Sequence, residues 1–124
     1  MARTLFDKLW AAHLVRALSN SEDENVTGLV AIDRILLHER TGGIALMALA
    51  ESGRAVRDPS RVFVTMDHVV DTLPGRGDRT IMPTGTDFIV ATREAAHAAG
   101  VTLFDIGDPR QGIVHVISPE NAVV

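Results

Sequence analysis

The sequence predicts an α/β fold, a parallel sheet with helices on its faces, and three observations carry that prediction. Apolar positions at helical spacing alternate along the chain with short, continuous apolar runs of strand length, which is the pattern of strand–helix–strand units. Gly53 and Gly100 stand just past the ends of two of the helical stretches, where a left-handed cap favours glycine. The 124 residues, 46% of them apolar, suffice for one buried core.

Each element follows from local signals. Thr4 is placed to cap a first helix, and Asp7, three residues on, completes a capping box at the positive end of the helix dipole. Phe6, Leu9, Trp10, His13, Leu14, Ala17 and Leu18 keep helical spacing, so this helix is expected to run to about Leu18. Residues 19–25 are polar and acidic and read as the turn that stops it. Residues 29–36 lack helical periodicity and predict a first buried strand. Thr41 can cap a helix over residues 42–52. Residues 61–66, entered after Asp58-Pro59, predict a second strand. Residues 67–83 form the longest non-periodic stretch, and such a loop in a compact domain is usually functional or mobile. A helix returns over residues 84–99, with Phe88, Ile89, Thr92, Ala95, Ala96 and Ala99 on one face. Residues 101–106 predict a third strand, and residues 110–118 fit a short helix better than a strand.

Composition excludes several function classes. The net charge of −4 argues against a nucleic-acid binder, which needs a basic face. With no cysteine there is no disulfide, no thiolate zinc site and no iron–sulfur cluster ligated from within these residues. The longest apolar run, residues 44–50, is far short of a membrane span, and the start shows no signal-peptide pattern. The expectation is one soluble cytoplasmic domain over residues 1–124, without internal repeat or linker.

In open α/β sheets, ligands bind beyond the carboxyl ends of the strands. That rule selects Leu37-His38-Glu39, then Asp67-His68, then the turn Gly107–Gly112 leading to His115. Three of five histidines thus fall on one predicted edge, while His13 and His97 sit inside helices. Asp67-His68 is the sharpest pair, because a carboxylate beside an imidazole fixes its orientation and favours its protonated form. Asp67 as a plain turn cap, His38 as a surface residue and His115 as a satisfied core histidine remain open alternatives. Residues 107–112 are expected to offer free backbone N–H groups at a helix start, a site for a carboxylate or phosphate, with Arg110 and Gln111 adding donors. A metal held by His38, Asp67, His68 and His115 is open too, although no His-x-x-x-His spacing supports it. Arg76-Gly77-Asp78 spells an adhesion tripeptide of chance length, and Gly75-x-Gly77 lacks the remainder of a phosphate loop.

Four motifs in order carry a resemblance: Ala2-Arg3-Thr4-Leu5-Phe6-Asp7-Lys8; Ile32-Asp33-Arg34 with His38-Glu39; Thr65-Met66-Asp67-His68; and Gly107-Asp108-Pro109-Arg110-Gln111-Gly112-Ile113-Val114-His115-Val116. Together they resemble the aconitase family, and most of all the start of 3-isopropylmalate dehydratase large subunits and their homoaconitase or methylmalate-type relatives. The resemblance implies the N-terminal part of the aconitase α/β/α domain. It also implies a hydro-lyase that removes and re-adds water on a hydroxy di- or tricarboxylic acid, with a 4Fe–4S cluster in the full-length enzyme and none held within this chain.

Carried over by motif, Asp67-His68 falls on the family's paired acid, with the imidazole protonating the leaving hydroxyl. His115 falls on an active-site histidine that pairs with a later aspartate. His38 lies where aconitases proper carry a substrate-contacting glutamine and the isopropylmalate branch carries this His-Glu; Arg110 and Gln111, read from the turn itself, complete the candidate substrate-binding residues. The family's next motif, Gly-Asp-Ser-His-Thr, its cluster cysteines, its serine base and its swivelling domain do not occur here. Gly42-Gly43 replaces the usual Ser-Pro-Gln, residues 69–72 depart from Asn-Val-Pro-Thr, and residues 73–83 resemble the methylmalate branch. The implied chain is an incomplete N-terminal domain whose partners are a hydroxy-carboxylate, the remainder of a large subunit and a small swivelling subunit. By itself it is expected to be inactive and to self-associate through uncovered strand edges. A non-catalytic carboxylate-binding or assembly module that has lost the cluster-binding part is the alternative, and a mononuclear metal hydrolase a third reading.

Overall fold

The computed structural model describes residues 2–19 and 27–123. They fall into two compact units, divided between Asp33 and Arg34.

The N-terminal unit holds helix α1 (Leu5–His13) and an antiparallel pair, β1 (Leu14–Ala17) and β2 (Gly28–Val30). The capping box forms as read: Asp7 N–H donates to Thr4 Oγ1 at 3.1 Å, and Thr4 N–H donates to Asp7 Oδ2 at 2.8 Å. The helix does not continue to Leu18. It ends at His13, and Leu14 is already extended. The apolar residues of 14–17 serve a strand instead, because the returning chain offers a partner that local spacing does not reveal. Leu14 pairs with Val30 and Ala17 with Gly28. Gly28 makes this approach feasible: a Cβ there would stand 2.4 Å from Leu14 Cδ1 and 2.9 Å from Trp10 Cζ2. The turn read at residues 19–25 lies, from residue 20 onward, outside the described residues.

The second unit carries a three-stranded parallel sheet in the order β3 (Ile35–His38), β4 (Val62–Thr65), β5 (Thr102–Phe104). The fold class is therefore α/β, as the alternation of patterns predicts. Helix α2 (Gly42–Glu51) connects β3 to β4, α3 (Gly85–Ala99) connects β4 to β5, and α4 (Val114–Glu120) follows β5. The two crossover helices pack on each other, and α4 lies against β3. The single strand expected over residues 29–36 is two strands, β2 and β3, belonging to different units. Ile32 and Ile35 are exposed, so apolar content there marked neither burial nor continuity.

β4 is the central strand, and Val62, Val64 and Thr65 are buried with Phe63 partly so, as suits a parallel strand covered on both faces. Val62 and Val64 join Leu46 of α2, Ala95 and Ala96 of α3, and Val101 in one core. Met66, Val69 and Ile89 form a second beneath the 67–83 loop. Gly100 ends α3 in the left-handed conformation at φ 67°, and Gly53 follows α2 at φ 71°. The 67–83 loop is tethered. Arg93 on α3 donates to Asp78 at 2.8 and 2.9 Å and to Asp105, past β5, at 2.6 and 2.9 Å. Among the described residues no helix is long and apolar enough to cross a membrane.

Candidate active site

Strand register places the site. His38 pairs with Thr65, and Thr65 with Phe104, so the three parallel strands end nearly level. The residues that follow each strand therefore gather at one edge of the sheet.

Asp67 and His68 follow β4. The His68 Nδ1 lies 2.6 Å from Asp67 Oδ1, and the side chains are 38% and 4% exposed for His68 and Asp67 respectively. Asp67 Oδ2 accepts the N–H of Val114 at 2.7 Å, at the start of α4. The carboxylate is thereby held at both oxygens. With Nδ1 committed to Asp67, Nε2 is the ring nitrogen of His68 left without a partner among the described residues. Asp67 thus accepts from the start of α4 with one oxygen and from the His68 ring with the other, a long-range bond in place of the local turn cap that the sequence left open.

His38, at the end of β3, stacks on His68 with ring centroids 3.6 Å apart and planes at 11°. Its Nδ1 is buried and unpartnered among the described residues, and Nε2 stands 3.4 Å from Thr41 Oγ1. Burial, then the neighbouring His68, lower the His38 pKa below its ordinary 6.5, outweighing Asp67 and Glu39. Both effects favour the neutral form of the His38 ring.

Glu39 is fully buried at 0% exposure. Its Oε1 accepts the N–H groups of His68 at 2.6 Å and Val69 at 2.5 Å, and its Oε2 that of Asp67 at 2.9 Å. Donor atoms of His38, Glu39, Asp67 and His68 lie within 4.8 Å of one another. Both carboxylates in this group already accept N–H donors at each oxygen: Glu39 from three backbone amides, Asp67 from Val114 N–H and the His68 ring.

The remaining residues singled out from the sequence are placed differently. His115 is the second residue of α4, exposed, and outside this group. Arg110 pairs with Asp108 at 2.7 and 3.0 Å and lies over the Phe104 ring, and this pairing pushes the Asp108 carboxyl down to about 2. The Gln111 amide is taken up inside the protein, donating to Met66 O at 2.7 Å and accepting from Gly107 N–H at 3.1 Å. The free N–H groups expected at residues 107–112 are not free. Asp108 N–H donates to Asp105 O, Arg110 N–H to Asp108 Oδ1, Gln111 N–H to Asp108 O, and Gly112 N–H to Thr65 Oγ1. The helix also begins later than expected, at Val114. Its first free N–H goes to Asp67, a partner 47 residues away that no local reading supplies.

Sequence reasoning placed Glu39 only as His38's neighbour in a motif. A glutamate directly after a strand end, ahead of a helix with no acidic residue in its first turn, was the available signal. Thr65 was missed as well; its hydroxyl donates to Gly112 O at 2.9 Å and fastens the 107–112 turn to β4.

Comparison with known proteins decides the family. Residues 7–124 match the model of the aconitase family (aconitate hydratase). The chain belongs to the aconitase family. This aconitase-family chain is 39% identical over 118 residues to 3-isopropylmalate dehydratase large subunit 1 of Bradyrhizobium diazoefficiens, covering 95% of the chain and 23% of that protein. It is 41% identical over 123 residues to large subunit 2 of Salmonella typhimurium (99% and 25%). The 3-isopropylmalate dehydratase large subunit of Thermus thermophilus is also 41% identical over 123 residues (97% and 24%). The chain spans about a quarter of the length of these relatives. No solved structure matches it.

Proposed function

We propose that this chain forms the proton-donor side of the active site of a hydro-lyase acting on a hydroxy di- or tricarboxylic acid of the 3-isopropylmalate type. One observation carries the reading: an imidazole fixed at Nδ1 by a buried carboxylate, with Nε2 unpartnered and the side chain partly exposed. In dehydration, the protonated His68 gives its Nε2 proton to the departing hydroxyl, which leaves as water, while the carbon-bound proton lost as the double bond forms is taken by a base outside this chain. Nδ1–H stays on Asp67 throughout, so the ring is not free to rotate between turnovers. In hydration, neutral Nε2 takes the proton back from water. The neutral His38 ring covers one face of His68 and adds no second positive charge beside it.

Arg110, with Nη1 free of hydrogen-bond partners among the described residues, is the cation we assign to a substrate carboxylate, and His38 the neighbouring contact. Gln111 supports this edge through its bonds to Met66 and Gly107. His115 we assign to pairing with a residue of the remaining large subunit. A small subunit, implied by the relatives' designation as large subunits, closes the site, and the enzyme works in the cytoplasm.

The 4Fe–4S cluster that family membership implies is not fitted by this chain's own donors. Such clusters are held by thiolates, and the chain has no cysteine. The gathered carboxylates are engaged with backbone N–H groups and with His68 Nδ1. The cluster's ligands belong elsewhere in the enzyme, and this chain's contribution is proton transfer and orientation.

The test is His68→Gln in the assembled large- and small-subunit enzyme, followed by the absorbance of the unsaturated acid. Loss of a positioned general acid lowers kcat by about 10²–10⁴-fold with little change in KM. Turnover within about tenfold of the parent enzyme, less than general acid catalysis contributes, would sink the reading.

A further inference from the structure

Neighbouring residues do not face each other in regular structure. In a strand, successive side chains point to opposite faces, and in a helix positions i and i+1 diverge. Asp67 and His68 are such neighbours, yet their side chains meet at 2.6 Å. The backbone between them must leave the extended path of β4 and turn, and something must hold that turn.

We propose that Glu39 is the positioning residue that holds it, an inference that rests on reading His68 as the proton donor. Three consecutive amides, those of Asp67, His68 and Val69, converge on its one carboxylate at 2.9, 2.6 and 2.5 Å. Successive N–H groups directed at one anion form a backbone nest, a conformation that extended chain does not adopt. Fixing these three peptide planes fixes the Cα–Cβ directions of Asp67 and His68, and with them the approach of Oδ1 to Nδ1.

Glu39 is itself anchored. It leads out of β3, and its carbonyl accepts the Thr92 hydroxyl of α3 at 2.9 Å. The carboxylate therefore comes from just past the end of a neighbouring strand and transmits the rigidity of the sheet to a loop that has no strand partner of its own. Adjacent residues grip the pair from two sides: Glu39 holds the backbone of His68, and His38 covers its ring. A carboxylate buried only for stability is a poor solution, since desolvation offsets most of its attraction and apolar replacements are often neutral. Three amides aimed at one place are what an apolar side chain cannot supply.

The experiment is ¹⁵N NMR of the His68 ring and of the loop amides in the 124-residue chain, with turnover measured in the assembled enzyme. In the parent chain the amides of Asp67, His68 and Val69 are expected to be protected from exchange, and the His68 ring to show a single Nδ1–H tautomer. Glu39→Gln keeps the shape but turns one acceptor into a donor. It is expected to abolish the single-tautomer signal and lower kcat about 10²-fold at nearly constant KM, as a small misplacement of a reacting group does. Glu39→Asp, which withdraws the oxygens without removing them, gives the same change in weaker form and serves if the glutamine variant does not fold. Leu46→Ala, in the core away from the site, lowers stability but leaves the tautomer intact. Fast exchange of the three amides in the parent chain overturns the proposal, and this needs no variant. So does a Glu39→Gln chain that keeps the single tautomer. Tautomer loss in Glu39→Gln with turnover unchanged supports the positioning and fails the proton-donor reading instead.

Discussion

Replacing Gly43 by alanine probes how closely α2 and α3 approach, and through that contact the support of the site. Gly43 is buried in the first turn of α2. A Cβ built there stands 2.5 Å from Thr92 Oγ1, 2.9 Å from Thr92 Cα and 3.1 Å from Thr92 N. A hydroxyl can rotate away, but the backbone of α3 cannot, so the helices must separate by a few tenths of an ångström. Overpacking of this kind costs about 1–3 kcal/mol. The intrinsic preference of helices for alanine over glycine offsets at most about 1 kcal/mol. The Thr92 hydroxyl also donates to Glu39 O at 2.9 Å, and separation lengthens that bond. We expect Gly43→Ala to lose about 2 kcal/mol, read as a fall of about 1 M in the urea midpoint. Combining it with Thr92→Ala removes the hydroxyl contact but not the backbone one, so a double-mutant cycle shows partial, not complete, coupling. A Gly43→Ala midpoint at or above the parent's, or full recovery in the double variant, would refute the reasoning.

Arg93→Leu unties Asp78 of the 67–83 loop from α3 and releases Asp105; the stability lost is small, about 1 kcal/mol, because Asp78 is 40% exposed and screened by solvent. The larger effect is local, faster proteolysis within residues 72–80, and unchanged cleavage there contradicts the tether. The Asp78 carboxyl lies below its ordinary 3.8 through its bond to Arg93, so this tie is complete above that value and lost as pH falls through the depressed one. The two units should respond to mild acid with opposite sign. His38 lies below 6.5 through burial and His68, so its contribution is whole above pH 6.5 and declines as pH falls toward the folded value. His13 lies above 6.5 through its bonds to Leu9 O and Asp33, so its contribution is whole below pH 6.5 and is lost as pH rises through the raised value. Segment-resolved hydrogen exchange between about pH 5 and pH 8 checks this, and His38→Phe should abolish the response of the second unit alone.

Much of the second unit is written locally. The apolar face of α3, the glycine stops at Gly53 and Gly100 and the run of β4 depend on neighbours within a turn or two, and those elements lie where their residues indicate, although Thr41, read as the cap of α2, makes no side-chain cap bond. The rule that ligands gather past parallel strand ends led to Asp67-His68 and His38 without coordinates, because register follows from strands of nearly equal length. Residues 14–18 carried helical spacing as well as strand-forming content, and only the return of Gly28–Val30 settled the choice. The loop amides of residues 107–112 looked free because their acceptors, Gln111 Oε1, Asp108 and Thr65, are chosen by the path of the turn.

What the sequence determined by itself was composition-level and periodic: an α/β chain, acidic, without cysteine, with a carboxylate beside an imidazole at a strand end. The tertiary structure decided the hydrogen-bond partners. Glu39 finds its three amides about 30 residues ahead, and Asp67 finds Val114 47 residues on. The reason is physical: periodicity reports which side of an element is apolar, whereas a buried polar atom is satisfied by whatever group the packing of other elements brings within about 3 Å.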